Sequence, residues 1–201
     1  MVAVIDYDAG NIMSVIKAVE HLGHEALLTR SADEILGADH IILPGVGAFG
    51  DCMEKLRSCE LEDVIKKAVD KGIPFMGICL GLQLIFEESE ESPGVKGLGL
   101  LKGKIKKLPE DKGLKIPNIG WNSLSFPREG RLFRGIDEGV FVYFVHSYYL
   151  QAEDESIVTA TTDYAAHIHA SVEKDNVFAC QFHPEKSSDP GLKMLDNFLG
   201  I

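Results

Sequence analysis

The sequence has no C-x-x-C pair, no G-K-[ST] motif, no basic leader and no apolar run long enough for a bilayer. Each absence removes a class of function. The four cysteines, Cys52, Cys59, Cys79 and Cys180, are too scattered for a zinc knuckle or a redox dithiol. Glycine-rich segments without a following G-K-[ST] give no support for a P-loop. The opening residues MVAVIDYDAG meet Asp6 at once and lack a basic segment, which predicts no signal peptide. The longest apolar stretch, Pro74 to Phe86, is broken by glycines and Gln83 and falls short of a membrane span. Positive charge is also scarce: 20 Lys and Arg face 31 Asp and Glu, a formal net charge of −11. Such a surface repels phosphate backbones and anionic lipid, so neither nucleic acid nor membrane is an expected partner. The deficit lies in residues 1–100, with 8 basic and 17 acidic groups; residues 101–201, with 12 and 14, have room for local basic patches. At 45% apolar and 25% charged residues the chain is a normal globular composition and not a disordered one. The expectation is one cytoplasmic domain over 1–201, with reduced thiols.

Short β-rich runs alternate with helical patterns in the first half. Val2–Tyr7, Glu25–Thr29, His40–Leu43 and Pro74–Ile78 read as strands. Between them, Gly10 and Asn11 turn into a helix from Ile12 to Leu22, Ser31 to Glu34 is a capping-box start, and helical sequence runs to Lys71 before Gly72. A further helix is expected from Leu80 to about Glu88. This rhythm predicts a mainly parallel sheet flanked by helices, a flavodoxin-like α/β architecture. In the second half Gly103–Leu108, Phe141–Leu150, Ile157–Thr162, Ile168–Glu173 and Val177–Phe182 read as strands with few helices between them, which predicts an antiparallel extension of the sheet. Asp189–Leu199 reads as a closing helix, and the charged stretch Glu87–Glu91 as a solvated loop.

Three segments carry chemistry. Gly77-Ile-Cys79-Leu-Gly81 lies between a strand and a helix and has the G-x-C-x-G form of a nucleophile elbow, with sulfur in place of a serine hydroxyl. The turn presents Cys79 at the carboxyl end of the sheet, where helix N–H groups favour a thiolate and the Leu80 N–H can meet an oxyanion. Taken alone, a cysteine is far more often a buried structural residue in a Gly-rich strand; its spacing, its local context and the residues that follow set this one apart as a nucleophile. In Val177–Ser187, strand alternation puts Gln181 and His183 on one face and Phe178, Cys180 and Phe182 on the other, making Cys180 a core residue. If the extension continues, Glu185 joins His183's side and orients its ring, leaving the second nitrogen for a thiol proton. Gly45, Val46 and Gly47 follow a strand and offer a second oxyanion donor from the same sheet edge, or a plain turn. His167 and His169 alternate on a strand without a third ligand, so no metal is expected, and no cofactor.

Together these segments resemble the class I (triad) glutamine amidotransferases, most closely the glutaminases that serve imidazole glycerol phosphate synthase in histidine biosynthesis. The likeness runs over nearly the whole chain and includes Pro44–Phe49, Gly77–Gln83, Glu87–Gly97, Gly120–Asn122, Tyr143–Tyr148 and Gln181–Ser187. The family often has His-Met before Gly-Trp-Asn where this chain has Asn118-Ile119, on the segment associated with the synthase. The resemblance implies that Cys79 attacks the side-chain amide of L-glutamine, His183 moves the proton and Glu185 orients His183. It implies that Gln83, Glu91 and backbone around His146, Ser147 and Tyr148 hold the substrate. It further implies a heterodimer with a (β/α)8-barrel cyclase subunit, which uses the ammonia to make imidazole glycerol phosphate and aminoimidazole carboxamide ribotide. Trp121, Asn122, Tyr143 and Lys186 are then interface or gate candidates. Ordinary packing competes for Trp121 and Tyr143, a helix-surface role for Gln83 and a solvated loop for Glu91. Another cysteine hydrolase on a similar fold, or an idle regulatory subunit, are the rival functions; the intact Cys79, His183 and Glu185 argue against the second.

Overall fold

A computed structural model describes residues 1–8, 12–110 and 113–201. The expected Gly10-Asn11 turn lies outside the described residues. In chain order the elements are β1 (Val2–Ile5), α1 (Met13–His21), β2 (Ala26–Thr29), α2 (Ala32–Leu36), β3 (His40–Leu43), α3 (Phe49–Ser58), α4 (Leu61–Asp70), β4 (Phe75–Ile78) and α5 (Leu80–Leu84). They continue as β5 (Glu88–Ser89), β6 (Gly103–Lys107), β7 (Asn118–Ser123), β8 (Phe141–His146), β9 (Tyr148–Ala152), β10 (Val158–Tyr164), β11 (Ala166–Lys174), β12 (Val177–Cys180) and α6 (Ser188–Leu199).

Seven strands form the main sheet in the order β10-β11-β12-β4-β3-β1-β2. The pairs from β12 through β2 are parallel, whereas β10–β11 and β11–β12 are antiparallel. The parallel sheet with an antiparallel extension is therefore present. Period-two side chains divide its two faces. Ala3, Ile5, Phe75 and Ala179 pack under α2, α3 and α4, while Val2, Met76, Phe178 and Cys180 pack with α1 and α6 through Val15, Val19, Leu195 and Phe198. Because β3, β4 and β12 are adjacent and parallel, the segments leaving their carboxyl ends meet at one edge.

Several boundaries differ from expectation. The helical run before Gly72 is two helices, broken at Cys59-Glu60, where Glu60 takes φ 56°. Helix α5 stops at Leu84, well short of Glu88, because the 98–101 segment folds back: Leu98 N–H bonds the Leu84 carbonyl and Leu100 N–H that of Ile85. Phe141–Leu150 is two strands, not one. It breaks at Ser147, and β8 pairs with β7 while β9 pairs with β6, so these strands build a two-stranded and a three-stranded sheet apart from the main one. The β7 strand has no counterpart among the expected elements. Its Gly120 and polar Asn118 and Asn122 dilute a β signal that its partner β8 supplies across the ladder.

Glu87–Glu91 is not a solvated loop. Glu87 accepts from the Gly103 N–H, Glu90 from the Lys107 N–H and Glu91 from the Phe49 N–H, and Ser89 is buried. Acidic composition marks solvated chain only when no backbone donors face it, and here three do.

Candidate active site

The elbow glycines are required by close approach. A Cβ on Gly81 would stand 1.9 Å from the Leu43 carbonyl oxygen, and one on Gly77 would stand 2.7 Å from the Gly81 oxygen. With β4 pressed against α5 in this way, Cys79 takes φ 55° and ψ −110°, a strained conformation for a non-glycine residue. Its sulfur faces a cavity of about 290 Å³ walled by Val46, Gly47, Leu80, Gln83, Glu91 and His183 and by 145–148. Gly45 does not reach this cavity. It packs against Gly81, Leu80 and the Tyr7 hydroxyl, where a side chain would collide, so it serves as a spacer beneath Val46 and Gly47.

His183 meets Glu185, but not by continued extension. Strand β12 ends at Cys180, and Pro184–Lys186 makes a 3-10 turn that brings Glu185 Oε1 within 2.8 Å of His183 Nδ1. Both side chains are almost wholly buried. The other ring nitrogen, Nε2, is buried in the cavity wall without a hydrogen-bond partner. Burial opposes charge on the ring, but the Cys79 sulfur and the Glu185 carboxylate outweigh it and push His183 up to about 9. The turn is stapled to β8: His183 N–H bonds the Tyr143 carbonyl, and Ser187 Oγ accepts from the Tyr143 N–H and donates to the His183 carbonyl. Cys180, by contrast, is wholly buried in the core, and burial drives its thiol well above the usual range.

Gln83 is not on a helix surface. It is buried, and its Nε2 donates to the Tyr148 carbonyl and to Gln181 Oε1, both at 3.1 Å. Glu91 reaches the cavity while Oε2 accepts from the Phe49 N–H at 2.7 Å, and Ser92 accepts from Gly50. These two residues cap α3, whose own N-cap residue, Ala48, has no side chain able to do so. His146 donates from Nδ1 to the Tyr148 carbonyl at 2.9 Å, and its Nε2 accepts from Asn118 Nδ2 at 3.2 Å. Burial lowers His146 to about 4, so its ring is neutral, with the proton on Nδ1. Asn118 thus has a buried role that its sequence position alone did not reveal. Gln181 was readable only as sharing His183's face.

On the β7–β8 hairpin, Ile119, Trp121, Phe141, Tyr143 and Val145 lie on one face by register, and Ile119, Trp121 and Phe141 are exposed. Trp121 and Tyr143 make an edge contact at 6.0 Å, and the Tyr143 ring lies 6.5 Å from that of His183. Asn122 belongs to the opposite face by alternation, and Lys186 lies on the turn below Glu185. His167 bonds Asp163, and His169 accepts from the Ala152 N–H. Among the described residues no group of three or more His, Cys, Asp or Glu could hold a metal ion.

Residues 3–200 match the family model "Glutamine amidotransferase class-I". Imidazole glycerol phosphate synthase subunit HisH of Aquifex aeolicus is 52% identical over 196 residues, 97% of this chain and 94% of the relative. The same subunit of Moorella thermoacetica is 49% identical over 98% of this chain and 93% of its own. That of Methanocaldococcus jannaschii is 47% identical over the whole of both. Among solved structures, a crystal structure of a glutamine amidotransferase superposes over the full length of both chains with a TM-score of 0.77 at 22% identity. PurLQS of Thermotoga maritima gives 0.71 at 22% identity over 99% of this chain and 97% of that one. Both show the shared fold.

Proposed function

The chain belongs to the class-I glutamine amidotransferases and, within them, to the HisH subunits of imidazole glycerol phosphate synthase, and from that premise we propose that its Cys79 cavity hydrolyses L-glutamine for a cyclase partner. Cys79 gives its thiol proton to His183 Nε2, and the sulfur attacks the side-chain amide carbon. The resulting oxyanion is met by the Leu80 N–H and by N–H groups of the Val46–Gly47 loop. His183 returns its proton to the departing nitrogen, which leaves as ammonia, and a glutamyl thioester remains. Water then loses a proton to His183 and adds to the thioester carbon. Collapse of that adduct frees glutamate, and the proton on His183 restores the thiol. Glu185 orients His183 and balances its charge. Glu91, with one carboxylate oxygen fixed by Phe49, suits the substrate's α-ammonium. Gln83 and the 146–148 backbone complete the pocket.

One observation carries this assignment: a buried imidazole nitrogen faces the Cys79 cavity unpartnered, while its opposite nitrogen is held by a carboxylate. The whole chain, 1–201, works as a single glutaminase domain in the cytoplasm, without membrane or nucleic-acid partners. No helix of the described residues is long and apolar enough to cross a membrane. Its partner is a (β/α)8-barrel cyclase subunit that consumes the ammonia to form imidazole glycerol phosphate and aminoimidazole carboxamide ribotide. The exposed apolar face of β7 and β8, one ring contact from His183, supports docking there. Ammonia release from glutamine is the test. The isolated chain is expected to turn over poorly, and the cyclase subunit with its bound substrate to raise the rate greatly. Equal rates with and without the partner contradict the coupling.

A further inference from the structure

Gln181 is wholly buried, one residue past the end of β12, and its carboxamide has a single allowed orientation. The constraint begins at the Tyr148 carbonyl, which can only accept. Gln83 must therefore turn its Nε2 toward that oxygen, 3.1 Å away. The same amino group then directs its second hydrogen to Gln181 Oε1, again at 3.1 Å. With its oxygen committed, Gln181 can only offer Nε2 on the other side, and there the acceptor is the Cys79 sulfur, 3.9 Å away. The usual ambiguity between amide oxygen and nitrogen is thus removed by the network itself. The thiol's own proton has an outlet in the Val145 carbonyl, also at 3.9 Å, so the sulfur is donor on one side and acceptor on the other.

We propose that Gln181 is a catalytic residue of this site, donating a hydrogen bond from Nε2 to the Cys79 sulfur and stabilising the thiolate that attacks. A hydrogen bond to an ionised acceptor is stronger than one to a neutral group, so this contact strengthens when the proton moves to His183. His183 Nε2 supplies the proton route and Gln181 a fixed dipole, and neither replaces the other. Gln83 is then a positioning residue for Gln181 as well as part of the pocket wall. The proposal rests on Cys79 being the nucleophile and adds a residue to which the triad gives no task.

The test is the pH dependence of Cys79 alkylation by iodoacetamide in the complex with its cyclase partner, read from the Cys79 peptide by mass. In Gln181→Met, which keeps the length of the side chain and removes the donor without adding charge, the alkylation profile is expected to move to higher pH by about one unit, with about tenfold slower labelling at pH 7. Gln181→Leu, which likewise has neither donor nor charge, is expected to move it in the same direction and serves if the first variant does not fold. Glutaminase kcat should fall about tenfold in either, with KM for glutamine changed less than about threefold. A folded variant with an unchanged alkylation profile overturns the role of Gln181. That result would leave the glutaminase assignment standing, because it is judged separately by ammonia release in the unaltered chain.

Discussion

The His183 ring decides what the site can do, because its two nitrogens have opposite surroundings. Nδ1 is held by Glu185 at 2.8 Å, and Nε2 opens on the Cys79 cavity. Because the Cys79 sulfur and the Glu185 carboxylate raise its pKa to about 9, the ring holds the proton it takes from the Cys79 thiol below that value and releases it above. Replacing Glu185 by Gln preserves an acceptor of the same shape and removes the charge that favours the protonated ring. We expect kcat to fall on the order of 10²-fold or more, with KM for glutamine little changed and the alkaline limit of activity moved to lower pH. An unchanged pH profile in Glu185→Gln would show that the carboxylate does not support His183. The pairing of these two residues was legible in the sequence as a spacing of two, but the route was not. Strand extension was expected to align them, whereas a 3-10 turn after Pro184 does so. Alternation along a strand says nothing of a turn that starts where the strand stops.

Among the elements, the β7–β8 hairpin joins an exposed face to the buried site. Ile119, Trp121 and Phe141 stand out to solvent, while Asn118 and His146 on the reverse side hold the cavity wall. Trp121 is 49% exposed and lies outside the hydrophobic cores on either face of the main sheet. Changing it to Asp is expected to weaken the cyclase complex by at least about tenfold and leave the melting temperature nearly unchanged. Titration of the variant with the cyclase subunit checks this, and full affinity would exclude the face as the docking surface. Trp121 and Tyr143 were readable as either interface or packing. Their placement needed the cross-strand register, which pairs the two on one face. Strands β1, β3 and β4 were legible because each is a short apolar run bounded by turn signals. The break at Ser147 was hidden, because Phe141–Leu150 is one continuous β-rich run and only its two different partner strands divide it. The ordered acids at 87–91 were hidden for a related reason, since the N–H groups that hold Glu87 and Glu91 come from Gly103 and Phe49, distant in the chain.

For the whole molecule, the buried imidazoles set how stability depends on pH. His146 is lowered to about 4 by burial, so below its unfolded value of about 6.5 the unfolded chain binds more protons. Stability is therefore lost as pH falls from about 6.5 to about 4, by on the order of 3 kcal/mol if the fold does not rearrange. His183 acts in the opposite direction: its contribution is complete below about 6.5 and is lost as pH rises through about 9. Denaturant unfolding between pH 4 and 7 should show the acid loss in the native chain and a flatter dependence in His146→Gln; the same slope in both would remove His146 as its cause. The sequence already set Cys79 apart as the elbow nucleophile and Cys180 as a core residue, and the fold gives the four cysteines separate environments, with Cys79 alone among them at the His183 cavity. That separation makes one measurement decisive. A glutamine-mimicking diazo-ketone, incubated with the chain and its cyclase partner and mapped by peptide mass, should leave one adduct, on Cys79. An adduct on Cys52, Cys59 or Cys180, with Cys79 unmodified, would contradict the assignment of the nucleophile and with it the account of the site.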